Sequence, residues 1–261
     1  MLPVLRCLIT IGFGVAIRVS YLNAAEPAVP ILVYHRFGTS RTDSMTVTTQ
    51  HFREQMDLLR ESHYTVIPLD AFVAWRLGKG HPPAPRSVVV TFDDGHISVY
   101  REAQSIVIRN RLPVSLFIYP SCISHASYAM TWEQLSELTA TSFFTVESHT
   151  FWHPNFKQES TKLDAAAYSA FVDMQLRHSK ATLEGRIKRP VNLLAWPFGI
   201  YDSYLMNRAV AAGYEAAFSS ECRAATRLDP VMALPRCLVL NEYTGDRFLR
   251  FLDSAIRTAE H

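Results

Sequence analysis

Four short stretches of the chain carry side chains that can do chemistry together. In Ser87-Val88-Val89-Val90-Thr91-Phe92-Asp93-Asp94-Gly95 a β-branched run, the pattern of a buried strand, ends in two adjacent carboxylates and a glycine. Side chains alternate along an extended segment, so Asp93 and Asp94 point different ways: one can hold a cation while the other faces a water or a substrate. Gly95 lets the chain turn sharply. The same residues also read as an ordinary turn in which Asp94 caps the next helix. In Ser148-His149-Thr150-Phe151-Trp152-His153-Pro154 two histidines stand four apart and can share one metal if the chain between them makes a single turn. Pro154 disfavours helix at His153, so that turn is a loop. The plain alternative is two polar loop residues. Two histidines and a strand-end carboxylate leave positions open for water and a substrate oxygen, the arrangement of a hydrolytic zinc-type site and not of a closed structural one. Val33-Tyr34-His35 and Trp196-Pro197-Phe198-Gly199 are the remaining two stretches.

What unites them is their place in the expected elements. From Pro30 onward short apolar runs alternate with amphipathic segments, the rhythm of a βα repeat with a mostly parallel sheet. The pattern predicts strands at 31–34, 65–67, 88–92, 114–119, 143–146, 192–196, 215–218 and 235–240. Helices are expected from Thr48-Thr49-Gln50, with Phe52, Met56 and Leu59 on one face, and then over 69–77, 99–109, from Thr131, over 163–187, from the cap Asp202 to Ala212, and over 245–258. His35, Asp93, Asp94, His149 and Trp196 all fall at carboxyl ends of strands. In parallel α/β sheets and barrels that is the face where ligands bind.

Composition narrows the field. A chain of 261 residues with 48% hydrophobic side chains can bury a sizeable core, and a formal net charge of +2 argues for no nucleic acid or anionic partner. Residues 1–25 stand apart: Arg6 precedes an apolar run from Cys7 to Ile17, the length of a signal-peptide core. Ala24 and Ala25 offer a cleavage point, whereas Arg18 and Tyr21-Leu22 suit it poorly, so the segment reads as a signal peptide or an uncleaved membrane anchor. Either implies export, to periplasm, cell envelope or medium. Residues 26–261 are read as one domain. Cys7 follows Arg6 and lacks the context of a lipid attachment site. Cys122, Cys222 and Cys237 lack metal spacing, and Cys222 with Cys237 is the expected disulfide.

Taken in order, Thr91-Phe92-Asp93-Asp94-Gly95, Ser148-His149-Thr150-Phe151-Trp152-His153 and Trp196-Pro197-Phe198-Gly199 resemble the NodB-type polysaccharide deacetylases, carbohydrate esterase family 4, over nearly the whole chain after Pro30. The resemblance implies a distorted (β/α) barrel of about seven to eight mostly parallel strands. It also implies removal of N- or O-acetyl groups from chitin, peptidoglycan, xylan or poly-N-acetylglucosamine with a divalent metal, zinc first and cobalt, nickel or iron as alternatives. Carried over by motif, Asp93 corresponds to the general base, Asp94, His149 and His153 to the metal ligands, and the Phe198 backbone N–H to an oxyanion donor. Two departures stand out. Ala195 occupies the place of an arginine that orients the base, and Leu234-Pro235-Arg236-Cys237-Leu238-Val239-Leu240 lacks the usual acid histidine. Tyr34-His35 is similar to the Tyr-His segment of the poly-β-1,6-N-acetylglucosamine deacetylases, which implies His35 as the acid, and Arg236 is the candidate for the missing arginine.

Two other classes fit the same side chains: a metal-dependent amidohydrolase or phosphoesterase acting on a small molecule, and a polysaccharide-binding module whose catalysis is weakened by Ala195. The partner expected of an enzyme is an acetylated polysaccharide, and oligomeric state is open. His96, just after Gly95, is a candidate lining residue. Trp132, Trp152, Trp196 and Tyr243 could form a sugar-stacking groove or simply belong to the core, with Trp152 favoured because it lies between the two histidines.

Overall fold

The computed structural model describes residues 26–259; the expected signal peptide or anchor over 1–25, with Cys7, lies outside them. The chain opens with β1 (Ile31–Tyr34), β2 (Arg36–Gly38) and β3 (Thr46–Thr48), then α1 (Thr49–Glu61), β4 (Thr65–Val66) and α2 (Leu69–Arg76). The central part runs β5 (Ser87–Asp93), α3 (Gln104–Arg109), β6 (Val114–Ile118), α4 (Trp132–Ala140) and β7 (Phe144–Ser148). Helices α5 (Phe156–Lys162), α6 (Ala165–Asp173) and α7 (Ser179–Ile187) follow, before β8 (Leu193–Ala195), α8 (Ser203–Ala211), β9 (Ala216–Phe218), β10 (Cys237–Leu238) and α9 (Gly245–Ala259).

Seven strands form one curled sheet in the order β10-β1-β5-β6-β7-β8-β9, every neighbouring pair parallel, with β4 added alongside the start of β5. This is the distorted (β/α) barrel expected. Its seam is bridged by a single stretch of chain. Leu234 pairs with Phe218 at the free edge of β9, where Ala217 N–H donates to Val231 O at 3.0 Å and Ser219 N–H to Leu234 O at 2.8 Å. A few residues later the same stretch becomes β10 on the edge of β1.

All seven residues of β5 are buried, as its β-branched run requires of a strand covered on both faces. Val88, Val90 and Phe92 pack outward under the helices, while Val89 belongs to an inner layer with Ile31, Phe117, Leu193 and Phe218. Leu69, Phe72, Val73 and Trp75 of α2 join that inner layer from the amino ends of the strands. Local signals hold where side chains satisfy orphan backbone groups. Thr48 caps α1, Asp202 caps α8, and Thr131 forms a reciprocal capping box with Gln134 at α4.

The structure corrects several expectations. The loop after β1 carries a small two-stranded parallel pairing of β2 with β3. The helix expected over 163–187 starts at the cap Asp164 and passes through a wider π turn, Met174–His178, between α6 and α7. It is preceded by α5, capped by Asn155 and unexpected because its only buried residue, Phe156, leaves no apolar period to read. The helix over 99–109 likewise opens in a π turn, Val99–Ala103, and the strand expected over 235–240 shrinks to β10. Cys222 and Cys237 are joined as a disulfide, and Cys122 is a buried thiol pushed up to about 12 by burial. Among the described residues no helix is long and apolar enough to cross a membrane.

Glu147 of β7 borders a cavity of about 340 Å³ toward the amino ends of the strands, where Oε2 accepts from Leu193 N–H at 2.8 Å. Burial outweighs the hydrogen bonds from the Leu193 and Asn192 backbone and pushes its carboxyl up to about 8. The folded chain therefore keeps a proton that the unfolded chain, at an ordinary value of 4.5, has already released. That contribution to stability is complete below the unfolded value and is lost as pH rises through about 8. Glu147→Gln should flatten the alkaline fall of the melting temperature, and parallel thermal melts of the two proteins from pH 5 to 9 test this; identical slopes would show that Glu147 is ionised throughout.

Candidate active site

The strand ends that carry the chemistry are built from unusual backbone. β5 stops because Asp94 and Gly95 both turn left-handed, with φ of 73° and 77°, and Gly95 N–H donates back to Asp93 O at 3.0 Å. Asp tolerates that region better than most side chains, and a Cβ on Gly95 would lie 3.0 Å from the Ile118 side chain. The reversal leaves Asp93 facing the barrel interior, 3% exposed, and turns Asp94 toward the loop after β7.

That loop is fixed at several points. His149 N–H donates to Ile118 O at 2.8 Å, His153 N–H to Thr150 Oγ1 at 3.2 Å, and the N–H groups of Phe151 and Trp152 share Gln175 Oε1 at 3.1 and 3.0 Å. Thr150 and His153 sit at positive φ, which supplies the turn that brings the two imidazoles to a centroid distance of 4.5 Å. Asp94 Oδ1 then stands 3.7 Å from His149 Nε2 and 3.7 Å from His153 Nε2, with one donor atom of each residue within 4.8 Å of the others. Ligand bonds of about 2.0–2.1 Å at tetrahedral angles place donors about 3.4 Å apart, so this set fits a small divalent cation after minor adjustment. The second ring nitrogen supports the fit. His149 Nδ1 is 2.8 Å from Ala195 O, an acceptor, so Nδ1 carries the proton and Nε2 keeps its lone pair. Burial lowers both imidazoles, His149 to about 3, so they stay neutral as ligands must be, and it raises the Asp94 carboxyl.

Asp93 has a different partner. Its Oδ1 accepts from Arg236 Nη1 at 2.9 Å and its Oδ2 from Nη2 at 2.7 Å. Arg236 Nε donates to Ser219 O at 3.2 Å, and its guanidinium lies 4.9 Å from the Phe117 ring centroid. Burial alone would raise the Asp93 carboxyl; the Arg236 charge, aided by His149, overrides it and holds the group at about 2. The arginine absent at Ala195 thus has a counterpart in Arg236, on the stretch that enters β10.

These groups face a cavity of about 330 Å³, whose walls include His35, Met45, Trp196, Phe198, Ser220 and Leu238. His35 Nδ1 is buried with no hydrogen-bond partner, and burial lowers this imidazole against the opposing pull of Asp93 and Asp94. Phe198 has φ 56° and ψ 13°, its ring 4.6 Å from that of His153. Gly199 follows at φ +66°, where a Cβ would fall 2.0 Å from Ser220 Oγ. All six expected site residues, His35, Asp93, Asp94, His149, His153 and Phe198, line this one cavity.

The other candidates separate. Trp196 is 1% exposed, and its indole N–H donates to Met232 O at 2.9 Å, so it is core as well as wall. Trp132 lies under Arg186, and Tyr243 stacks on Phe251. Trp152 is 49% exposed. His96 is outside the lining, bonded to Ser98 Oγ and stacked on Tyr128. Met45, Ser220 and Gln175 were not expected: nothing in residue type marks a wall methionine or serine, and Gln175 acts from a π turn that helical periodicity does not place.

The polysaccharide deacetylase family model matches residues 80–217, so the chain belongs to the polysaccharide deacetylase family. It is 24% identical over 237 residues to the Bacillus subtilis protein YxkH, which carries a provisional polysaccharide deacetylase name, covering 90% of this chain and 80% of that one. It is 22% identical over 214 residues to a Staphylococcus aureus poly-β-1,6-N-acetyl-D-glucosamine N-deacetylase, covering 80% of this chain and 73% of the relative. The fold matches that of a Streptococcus pyogenes deacetylase, PplD, solved with acetate: the TM-score is 0.76 at 19% identity, over 87% of this chain and 99% of the other.

Removing a donor from a three-residue set leaves too little to hold a cation, whereas Asp93 is already neutralised by Arg236. Titration calorimetry with zinc should therefore show Asp94→Ala, His149→Ala and His153→Ala losing affinity by at least about 100-fold, with Asp93→Asn close to the parent protein. Stoichiometric tight binding in a His149→Ala, His153→Ala double variant would refute the site.

Proposed function

We propose that the protein is a divalent-metal-dependent N-deacetylase of N-acetylglucosamine residues in an extracellular or cell-envelope polysaccharide, with poly-β-1,6-N-acetylglucosamine as the favoured substrate. In this reading residues 26–261 are the deacetylase domain and residues 1–25 export it or tether it to a membrane. The observation that carries the proposal is the meeting, in one cavity, of the Asp94, His149 and His153 donor set with a carboxylate clamped by Arg236 and with the unpartnered Nδ1 of His35. Support for the substrate comes from the Tyr34-His35 segment and from the name of the S. aureus relative.

Asp94, His149 and His153 would hold the cation, zinc by preference of the donors and cobalt, nickel or iron as alternatives. When bound, it supplies Lewis-acid polarisation of the acetyl carbonyl and a water more acidic than bulk. Asp93, held near 2, is fully ionised at neutral pH. Arg236 occupies one lone-pair site on each carboxylate oxygen, and a further site on either remains to accept the proton of the attacking water. The Phe198 backbone N–H, on a turn held left-handed, donates to the carbonyl oxygen as negative charge develops there. His35 acts in its protonated form, which Asp93 and Asp94 favour against burial: it gives a proton to the amide nitrogen as the C–N bond breaks, releasing the glucosamine amine and acetate, and the proton Asp93 took from the water replaces it.

A second reading, hydrolysis of a small-molecule amide, uses the same residues, and acetate release separates the two. Metal-stripped and reloaded protein is offered poly-β-1,6-N-acetylglucosamine, chitin oligomers, peptidoglycan and acetyl-xylan; no release from the first three, with or without release from acetyl-xylan, would overturn the proposal.

The acid is tested by leaving group. An amine must be protonated to depart, whereas an aryl oxide leaves as the anion. His35→Ala should keep its metal, lose roughly 100-fold or more on N-acetylglucosamine oligomers and lose far less on an aryl acetate. Equal losses on both substrates would move His35 from acid to oxyanion stabilisation or packing.

A further inference from the structure

Among the described residues four aromatic rings are largely exposed, Tyr128, Trp152, Phe198 and Tyr204. Three of them stand on successive loops at the carboxyl ends of the strands, after β6, β7 and β8, which is where the site opens. The proposed chemistry uses the ring of neither Tyr128 nor Trp152, and of the two Tyr128 is the one tied to the segment following the aspartates although its side chain is 47% exposed. Its backbone is tied to the segment following the two aspartates: Ile97 N–H donates to Tyr128 O at 2.7 Å, and His96 bridges Ala129. One ring face is backed by the His96 imidazole, 6.3 Å between centroids and 12° from parallel. Its hydroxyl meets that of Tyr119 at 3.0 Å, and Tyr119 in turn lies 5.5 Å from the ring of His153. His96 is itself fixed by Ser98 Oγ at 2.8 Å, which also accepts from Phe37 N–H.

We propose that Tyr128 is a pyranose-stacking platform for the sugar next to the one being deacetylated. The proposal rests on the deacetylase reading above and adds which residue makes the enzyme prefer a polymer. A pyranose is apolar on its C–H faces and polar at its rim, so it suits a flat ring with one open face and a hydroxyl at the edge. Tyr119 links Tyr128 to His153 through those two contacts, and Tyr128 itself is outside the cavity lining, so the platform lies beyond the place of the reacting sugar. The ring is immobilised before substrate arrives, so stacking on it costs little side-chain entropy.

The test compares Tyr128→Ala and Tyr128→Phe with the parent on N-acetylglucosamine oligomers of increasing length and on an aryl acetate. Tyr128→Ala should lower the ratio of kcat/KM on a tetramer to kcat/KM on the aryl acetate roughly three- to tenfold, chiefly through KM, and Tyr128→Phe should restore most of it. Losses independent of oligomer length, or no loss, would overturn the platform. Binding of the same oligomers to an Asp93→Asn background keeps the two claims apart. Oligomers that bind, weaken with Tyr128→Ala and are never hydrolysed by the parent leave the platform standing and remove the deacetylase reading, whereas oligomers that fail to bind remove both.

Discussion

The buried pairing of Asp93 with Arg236 is the constraint on which the site and the closure of the barrel both depend. Each side chain is 3% exposed, and an ion taken that far from water costs several kcal/mol unless its partner and hydrogen bonds repay it. Here the repayment is two parallel charge-assisted bonds, further donation to Thr91 Oγ1 and Ser219 O, and aromatic faces on Phe117 and Phe218. The contacts to Ser219 and Phe218 reach across the seam to the β9 side, whereas those to Asp93, Thr91 and Phe117 stay on the β10-β1-β5-β6 side, so the guanidinium joins the two. Arg236 is anchored by neighbours on both sides in sequence, Leu234 on β9 and Cys237 on β1, with the Cys222 disulfide holding the latter. A frayed seam would strand a carboxylate inside the barrel, so the orientation of Asp93 and the integrity of the sheet are one equilibrium.

Placing the arginine there is physically equivalent to placing it at the end of β8. A barrel interior is narrow enough for an inward side chain on one strand to reach the end of another across the ring. Ala195, small and fully buried, leaves that interior free, and its carbonyl is used to set the tautomer of His149. The two positions thus share the orienting work: β8 fixes His149 through its backbone, and the stretch entering β10 fixes Asp93 through its side chain.

How much of this could be read from the sequence follows from the range of each signal. Strand ends were legible because β5 to β8 carry apolar runs whose termini place Asp93, His149 and Trp196 on one face without knowledge of neighbours. Caps at Thr48, Thr131 and Asp202 are local hydrogen bonds and were equally plain. The pairing of β2 with β3 was not, since three-residue strands hold no period, and the π turns at Val99–Ala103 and Met174–His178 shift register without any compositional mark. Arg236 was nominated only by strand location, and its reach across 143 residues to Asp93 exists only once the sheet has curled. His96 was a candidate for the pocket because it follows Gly95, yet the left-handed backbone at Asp94 and Gly95 redirects the chain and turns it toward Tyr128 instead.

The two adjacent carboxylates show why chain neighbours take on different tasks. Identical in type, they differ in what balances their charge. Asp93 is drawn down to about 2 because Arg236 is its permanent counter-ion, whereas Asp94 is raised because burial removes water and no cationic side chain is paired with it. A pair of titratable groups pushed apart in this way is the usual mark of a division between proton transfer and charge binding. Asp94 faces two imidazoles whose own burial keeps them neutral, so its charge is balanced only when a cation enters the space the three share. The protein supplies a counter-ion to one aspartate and withholds it from the other, so of the two carboxylates Asp94 is the one whose charge a cation shared with His149 and His153 would balance.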